Sequence, residues 1–174
     1  MRRGDNTIKG VVLQNGTETY FSAWKENAIH TGSGITFAPE DFYVLDEQGR
    51  RKEFFTWDEA MQLEREILRP NGWRLSTLQD WAKVGHEFKT SRNIREKLHL
   101  GLNGLIWWDK MERCNEDPDS VTTPCAWGDY GFYWSSTMIN GVGVYRLYLD
   151  DSLIRPARSS NYRNYGSSVR CVAQ

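Results

Sequence analysis

Residues 72 to 81 read Gly72-Trp73-Arg74-Leu75-Ser76-Thr77-Leu78-Gln79-Asp80-Trp81. Trp73, Arg74 and Leu75 describe a short extended link, and Ser76 with Gln79 has the form of a capping box that opens a helix. Along that helix Leu78, Trp81, Ala82, Gly85 and Phe88 make one apolar stripe. Upstream, Thr56-Trp57-Asp58-Glu59 is a second capping box, in which the Thr hydroxyl and the Glu carboxylate satisfy each other's orphan amides. Trp57, Ala60, Met61, Ile67 and Leu68 then share a helical face, and Pro70-Asn71-Gly72 stops that helix.

On the N-terminal side, residues from Ile8 to Leu45 read as short strands and turns. Ile8 to Leu13 and Thr19 to Trp24 flank the turn Asn15-Gly16, and Phe42-Tyr43-Val44-Leu45 runs into the turn-like Asp46-Glu47-Gln48-Gly49. On the C-terminal side, Leu98 to Trp108 reads as a strand interrupted at Asn103-Gly104, and a polar loop follows from Glu112 to Pro124. Three further strands, Phe132 to Ser135, Val144 to Leu149 and Ser168 to Ala173, are joined by turns rich in Gly, Asn and Ser. No repeat and no linker composition interrupts the chain. The expected architecture is one α+β domain: residues 51–174 form two helices packed on small antiparallel sheets, and residues 1–50 add an N-terminal β extension.

The 174 residues, 39% hydrophobic and 26% charged, suit one domain with an ample core. A net charge of −1 gives no electrostatic reason to expect nucleic acid as a partner. No window is apolar and long enough for membrane insertion. The start, Met1-Arg2-Arg3-Gly4-Asp5-Asn6, lacks the apolar run of a signal peptide. Export would then need either a leader already removed or another route, such as assembly into a phage particle. Arg3-Gly4-Asp5 and the sequon Asn15-Gly16-Thr17 carry little weight beside their readings as terminus and turn. Three cysteines, Cys114, Cys125 and Cys171, cannot make a disulfide framework, and their redox state stays open.

Three motifs in order, Gly72 to Trp81, then Gly131-Phe132-Tyr133-Trp134-Ser135-Ser136-Thr137, then Asn164-Tyr165-Gly166-Ser167-Ser168-Val169-Arg170-Cys171-Val172, resemble the Fibrobacter succinogenes major paralogous domain. The resemblance covers roughly Thr56 to Gln174 and departs at Ser76, where the family usually has Pro. It implies a C-type-lectin-like fold. The relatives of this pattern are variable proteins of diversity-generating retroelements, including receptor-binding and surface-display proteins of phages and bacteria. It implies location on a phage virion or bacterial cell surface, and a protein or cell-surface ligand as partner. Assembly as a homo-oligomer or within a larger particle is compatible with it.

The resemblance also implies diversification through codons that cannot encode Lys, Glu, Gln, Met or Trp. From Ile139 to Ala173 none of these five types occurs, although they make up about one residue in five of the chain. The variable region this implies runs from about Met138 to Tyr165, and its candidate ligand-binding positions are Ile139, Asn140, Val142, Tyr145, Arg146, Tyr148, Asp150, Leu153, Arg155, Arg158, Ser159, Ser160, Tyr162 and Tyr165. Chemically they resemble a paratope, since Tyr offers amphipathic area at low rotamer cost, Ser and Asn adapt their hydrogen bonds, and Arg anchors. In Val144-Tyr145-Arg146-Leu147-Tyr148-Leu149-Asp150 the strand period turns Leu147 and Leu149 one way and Arg146, Tyr148 and Asp150 the other. Tyr133, Trp134, Leu147, Leu149, Val169 and Cys171 fall to the fixed scaffold, as do Trp73, Leu75 and Trp81. The plainer alternative makes Tyr145, Tyr148, Tyr162 and Tyr165 ordinary half-buried strand or turn residues.

Other chemistries find less support. Calcium-dependent sugar binding needs convergent oxygen ligands, and Asp117-Pro118-Asp119 and Trp108-Asp109-Lys110 only echo the lectin motifs. His86, His99, Cys114 and Cys125 follow no compact zinc spacing. The formylglycine-generating enzymes share the general fold but use a cysteine pair, whereas Cys171 stands alone near this C-terminus. Asp150-Asp151 are strand neighbours aimed at opposite faces and no nucleophile elbow exists. The expectation is a binding protein with no catalytic residues, no metal and no cofactor. An undiversified adhesin or structural module of the same fold is the second reading.

Overall fold

Tyr20, Phe21 and Trp24 suit one face of a helix, because Ser22 and Ala23 between them are exposed while the three rings are buried. The computed structural model describes residues 17–45, 48–106, 128–139, 141, 143–160 and 163–174, the side chains of residues 17–19, 159 and 160 excepted. In it Thr17–Glu26 forms helix α1, not the strand expected over Thr19 to Trp24. The three rings form an edge-on cluster, with Trp24 5.2 Å from Trp73, and this burial of aromatic area outweighs the strand propensity of the segment. The expected strand over Ile8 to Leu13 and the turn Asn15-Gly16 lie outside the described residues.

The remaining N-terminal elements are short: β1 (Ile29–His30), β2 (Thr36–Phe37), β3 (Val44–Leu45) and β4 (Arg51–Lys52). Helix α2 (Trp57–Leu63) starts at the Thr56 capping box, where Thr56 Oγ1 accepts from Glu59 N at 3.2 Å and Glu59 Oε1 accepts from Thr56 N at 2.9 Å. It continues through a π turn, Glu64–Leu68, and a 3-10 turn, Arg69–Asn71, and ends at Gly72 with φ 86°. Strand β5 (Trp73–Leu75) follows, then helix α3 (Leu78–Phe88).

The capping box of α3 is Thr77 with Asp80, one residue later than the Ser76–Gln79 box expected. Ser76 is fully buried and its carbonyl accepts from Ser136 N at 3.0 Å, so it belongs to the core contact with the later chain. The apolar stripe is correspondingly shifted. Val84 is buried beside Trp81, whereas Ala82 is exposed. A further helix, α4 (Ser91–Leu98), ends where the strand over Leu98 to Trp108 was expected. In place of that strand residues 99–103 are irregular, and Gly104 and Ile106 make only isolated bridges to Gly131 and Gly166. Thr90 caps it by accepting from Asn93 N, and Ile94 and Leu98 bury its inner face.

The C-terminal part holds β6 (Tyr130–Ile139), β7 (Gly143–Asp150), β8 (Ile154–Ser160) and β9 (Cys171–Ala173). Strands pair antiparallel in three small sheets, ordered β1-β2-β9-β5, β3-β4 and β6-β7-β8. The protein is therefore α+β, with four α-helices rather than two among the described residues. β9 lies between β2 and β5, with Phe37 opposite Val172 and Leu75 opposite Cys171, so the first and last parts of the described chain share one sheet. Cys171 packs into one apolar cluster with Trp24, Trp73 and Trp134, and Val172 into a second with Phe37, Trp81 and Leu147.

A buried polar network joins these layers. Arg170 is 1% exposed and donates to Asp41 Oδ1 from Nη2 at 2.8 Å and from Nε at 3.1 Å. Its other N–H groups reach the carbonyls of Ala38, Leu98 and His99. Asp41 Oδ2 accepts from Tyr133 Oη at 3.0 Å and from Asn103 Nδ2 at 2.9 Å. The charge is thus removed from water only where its hydrogen bonds are replaced. Burial, with the Asp41 carboxylate behind it, pushes the Tyr133 phenol well above its ordinary range, so it stays a donor.

Candidate functional site

The sheet β6-β7-β8 has two unlike faces. On one, Tyr133, Leu147 and Leu149 are fully buried and Ile154 packs beside them against the cluster that contains Trp81 and Val84 of α3. On the other, the register sets Phe132 opposite Tyr148, Trp134 opposite Arg146, Arg146 opposite Arg158 and Tyr148 opposite Arg155. Tyr130, Phe132, Tyr148, Arg146, Arg155 and Arg158 therefore share the outer face.

Strand β8 was not legible in the sequence because Pro156 sits inside it. Proline cannot donate to a ladder and is tolerated on an edge strand or at a bulge, and both conditions hold here. β8 is the edge of its sheet, and Pro156 with Ala157 together oppose Leu147. Pro156 also packs on α3, where its Cγ lies 2.9 Å from the point a Cβ on Gly85 would occupy. The bulge separates Arg155 from Arg158 by an extra residue and still leaves both on the outer side.

Arginine stacked on aromatic rings organises this outer face. The Arg146 guanidinium carbon lies 3.8 Å from the Phe132 ring centroid, and that of Arg158 4.7 Å from the Tyr148 centroid. Tyr130, Phe132 and Tyr148 contact one another with centroids 5.2 to 5.9 Å apart. Beside them Tyr148, Leu153, Arg155, Pro156 and Arg158 line a shallow, open depression of about 800 Å³.

The hairpin between β7 and β8 is held by Asp150. Its Oδ1 accepts from Leu153 N at 2.7 Å and Ser152 N at 2.8 Å, and its Oδ2 from Tyr148 Oη at 2.8 Å. Those amide donors, Ser152 first, and the Tyr148 hydroxyl hold the Asp150 carboxyl below the usual carboxylate range. Slight burial, then the hydrogen bond to Asp150, raises the Tyr148 phenol. Helix α4 clamps the same hairpin, since Ser91 Oγ donates to the Asp150 carbonyl and Arg95 Nη1 lies 3.4 Å from Asp151 Oδ1.

The candidate positions divide on this geometry. Arg155 and Arg158 are exposed and Leu153 is 45% exposed, whereas Ile139, Tyr148 and Tyr165 are half-buried. Arg146 departs from the expectation of an open contact residue: it is 6% exposed, covered where it stacks on Phe132. Tyr145 is half-buried on the side of Leu147 and Leu149, because the strand period sets it opposite to Tyr148. Asp150 has its carboxylate engaged in the turn. Asn140, Val142 and Tyr162 lie outside the described residues, as do the side chains of Ser159 and Ser160. The scaffold residues Trp73, Leu75, Trp81, Tyr133, Trp134, Leu147, Leu149, Val169 and Cys171 are all buried.

His86 and His99 are exposed. No group of His, Cys, Asp or Glu able to hold a metal occurs among the described residues, and Cys114, Cys125, Asp109, Asp117 and Asp119 lie outside them. No helix of the described residues is long and apolar enough to cross a membrane. The sequence reading missed Tyr130 and Phe132 as parts of the outer face. Their period-two spacing with Trp134 was the available signal. Set against protein-family models, curated proteins and solved structures, the chain matches none.

Proposed function

We propose that the protein is a non-catalytic binding protein that presents the outer face of the β6-β7-β8 sheet to a protein or cell-surface ligand. The observation that carries this reading is the division of the sheet. Its inner face is sealed into the core, and on the other face Phe132, Trp134, Val144 and Arg146 are buried as well, while the end beside the clamped hairpin displays Leu153, Arg155 and Arg158 next to half-buried Tyr148. Exposed positions of this kind accept substitution at small cost, typically within about 0.5 kcal/mol. A rigid backbone also lowers the ordering cost of binding.

The finer reading is a C-type-lectin-like variable protein of a diversity-generating retroelement, acting in receptor binding or surface display on a phage virion or bacterial cell. Its support is the three ordered motifs and the absence of Lys, Glu, Gln, Met and Trp from Ile139 to Ala173. β7, β8 and the buried β9 all fall in that stretch, so diversification would act on the outward positions between fixed ones such as Leu147, Leu149, Val169 and Cys171. The DNA beside the gene tests this. A reverse-transcriptase gene and a near-copy of the segment encoding residues 139–173 are expected there, with differences concentrated at adenines. Their absence in the genome of origin would leave an undiversified adhesin of the same surface.

A further inference from the structure

We propose that the partner segment seated on the outer face of the β6-β7-β8 sheet is acidic: a protein loop carrying clustered carboxylates beside an aromatic or aliphatic side chain. The inference rests on the recognition-surface reading and names its ligand chemistry. Two exposed guanidinium groups, Arg155 and Arg158, share this face with the single carboxylate of Asp150 among its described residues, while Arg146 is buried under Phe132 and the whole chain carries a net charge of −1. Asp150 is occupied by two backbone amides and the Tyr148 hydroxyl, and neighbouring Asp151 lies against Arg95.

Arg155 and Arg158 are exposed and have no ion pair among the described residues. Several arginines elsewhere are paired, Arg92 with Glu96 at 3.0 Å, Arg95 with Asp151 at 3.4 Å and Arg163 with Asp58 at 2.5 Å, whereas exposed Arg65 is not paired among the described residues. The way Arg158 is held strengthens the case. A guanidinium lying over a ring uses its π face for the ring and leaves its N–H edge directed outward, the edge that takes a carboxylate in a fork. With the guanidinium carbon 4.7 Å from the Tyr148 centroid, the side chain has a ring to rest on, which lowers the cost of fixing it when a ligand arrives. Tyr130, Tyr148 and the 45% exposed Leu153 add apolar area that a peptide side chain can cover and that a polyanionic glycan or free phosphate would leave unused.

The test pans a phage-displayed random peptide library against the immobilised full chain, the R155Q/R158Q variant and the Y148A/L153A variant. Melting curves establish that each is folded, and heparin serves as an anionic glycan probe. The expected result is enrichment of peptides with clustered Asp or Glu next to an aromatic or aliphatic residue. Their affinity should fall at least about tenfold in R155Q/R158Q and weaken as salt rises. R155K/R158K, which keeps the charge but not the planar fork, should fall between wild type and the Gln variant. Enrichment of neutral or basic peptides that are lost in Y148A/L153A would overturn the acidic assignment and leave the recognition surface standing. Heparin binding tighter than any selected peptide, and dependent on the same two arginines, would overturn the peptide assignment. Enrichment independent of all four side chains would remove the assignment and the recognition surface together.

Discussion

Replacing Asp41 by Ala would leave the Arg170 guanidinium buried with only carbonyl partners. The substitution deletes two charge-assisted hydrogen bonds, at 2.8 and 3.1 Å, and the acceptor of the Tyr133 hydroxyl and the Asn103 amide. Removing one partner of a buried pair costs about 3–5 kcal/mol, mostly the penalty of the charge left behind. The Asp41 side chain is 20% exposed against 1% for Arg170, so water can enter from the Asp41 side, and the lower end, about 3 kcal/mol, applies. In a domain of this size each kcal/mol moves the melting temperature by about 2–4 °C, which gives a fall of about 6–12 °C. Calorimetry at neutral pH measures it. D41N keeps the shape and one acceptor and should lose less. D41A/R170M should lose less than the sum of its two single variants, because the second change removes the stranded charge. A shift below about 2 °C in D41A, or strict additivity in the double variant, would refute the reasoning.

Two other perturbations separate inner from outer positions and probe a helix start. Leu147→Ala empties a fully buried site and should cost about 2–5 kcal/mol by chemical denaturation, whereas Leu153→Ala, in the exposed turn between β7 and β8, should stay within about 0.5 kcal/mol. At the start of α3, burial raises the Asp80 pKa, but the Arg74 guanidinium at 2.7 Å and the Thr77 amide outweigh it and leave the carboxyl below its usual range. A depressed folded pKa contributes stability that is full above the unfolded value of about 3.9 and is lost as pH falls through the lower folded one. D80N should therefore be less stable at neutral pH and lose less stability on acidification from neutrality. An unchanged acid limb in D80N would contradict that assignment.

Legibility in the sequence followed how local each determinant is. The Thr56 capping box and the stop at Gly72 depend on side chains a few residues apart, and the structure places both as read. The core role of Trp73, Trp81, Trp134 and Leu147 follows from size and period. Ser76 and Thr77 compete for one cap, and the choice falls to Thr77 because distant Ser136 takes the Ser76 carbonyl. Helix α1 looked like a strand because Tyr20, Phe21 and Trp24 favour strands in isolation, and only their contacts with Phe42, Tyr43 and Trp73 decide otherwise. Helix α4 left a signal in Thr90, Ile94 and Leu98 that the glycine-rich stretch after it obscured. At the site, period two assigned Leu147 and Leu149 inward. It could not show that Phe132 would cover Arg146, or that Asp150 would be absorbed by its own turn, since both depend on pairing partners distant or folded back in the chain.

The claim that a self-sufficient scaffold carries a replaceable outer face is met most directly by the melting temperature of the triple variant L153S/R155S/R158S. The three side chains are exposed and form no ion pair among the described residues, and Arg158 touches the Tyr148 and Phe132 rings only from the solvent side of its exposed side chain. Their combined loss should therefore stay within about 2 kcal/mol and the cooperative transition within about 8 °C of wild type. A fall as deep as that of L147A, or the loss of a cooperative transition, would show that the outer face is part of what holds the fold together.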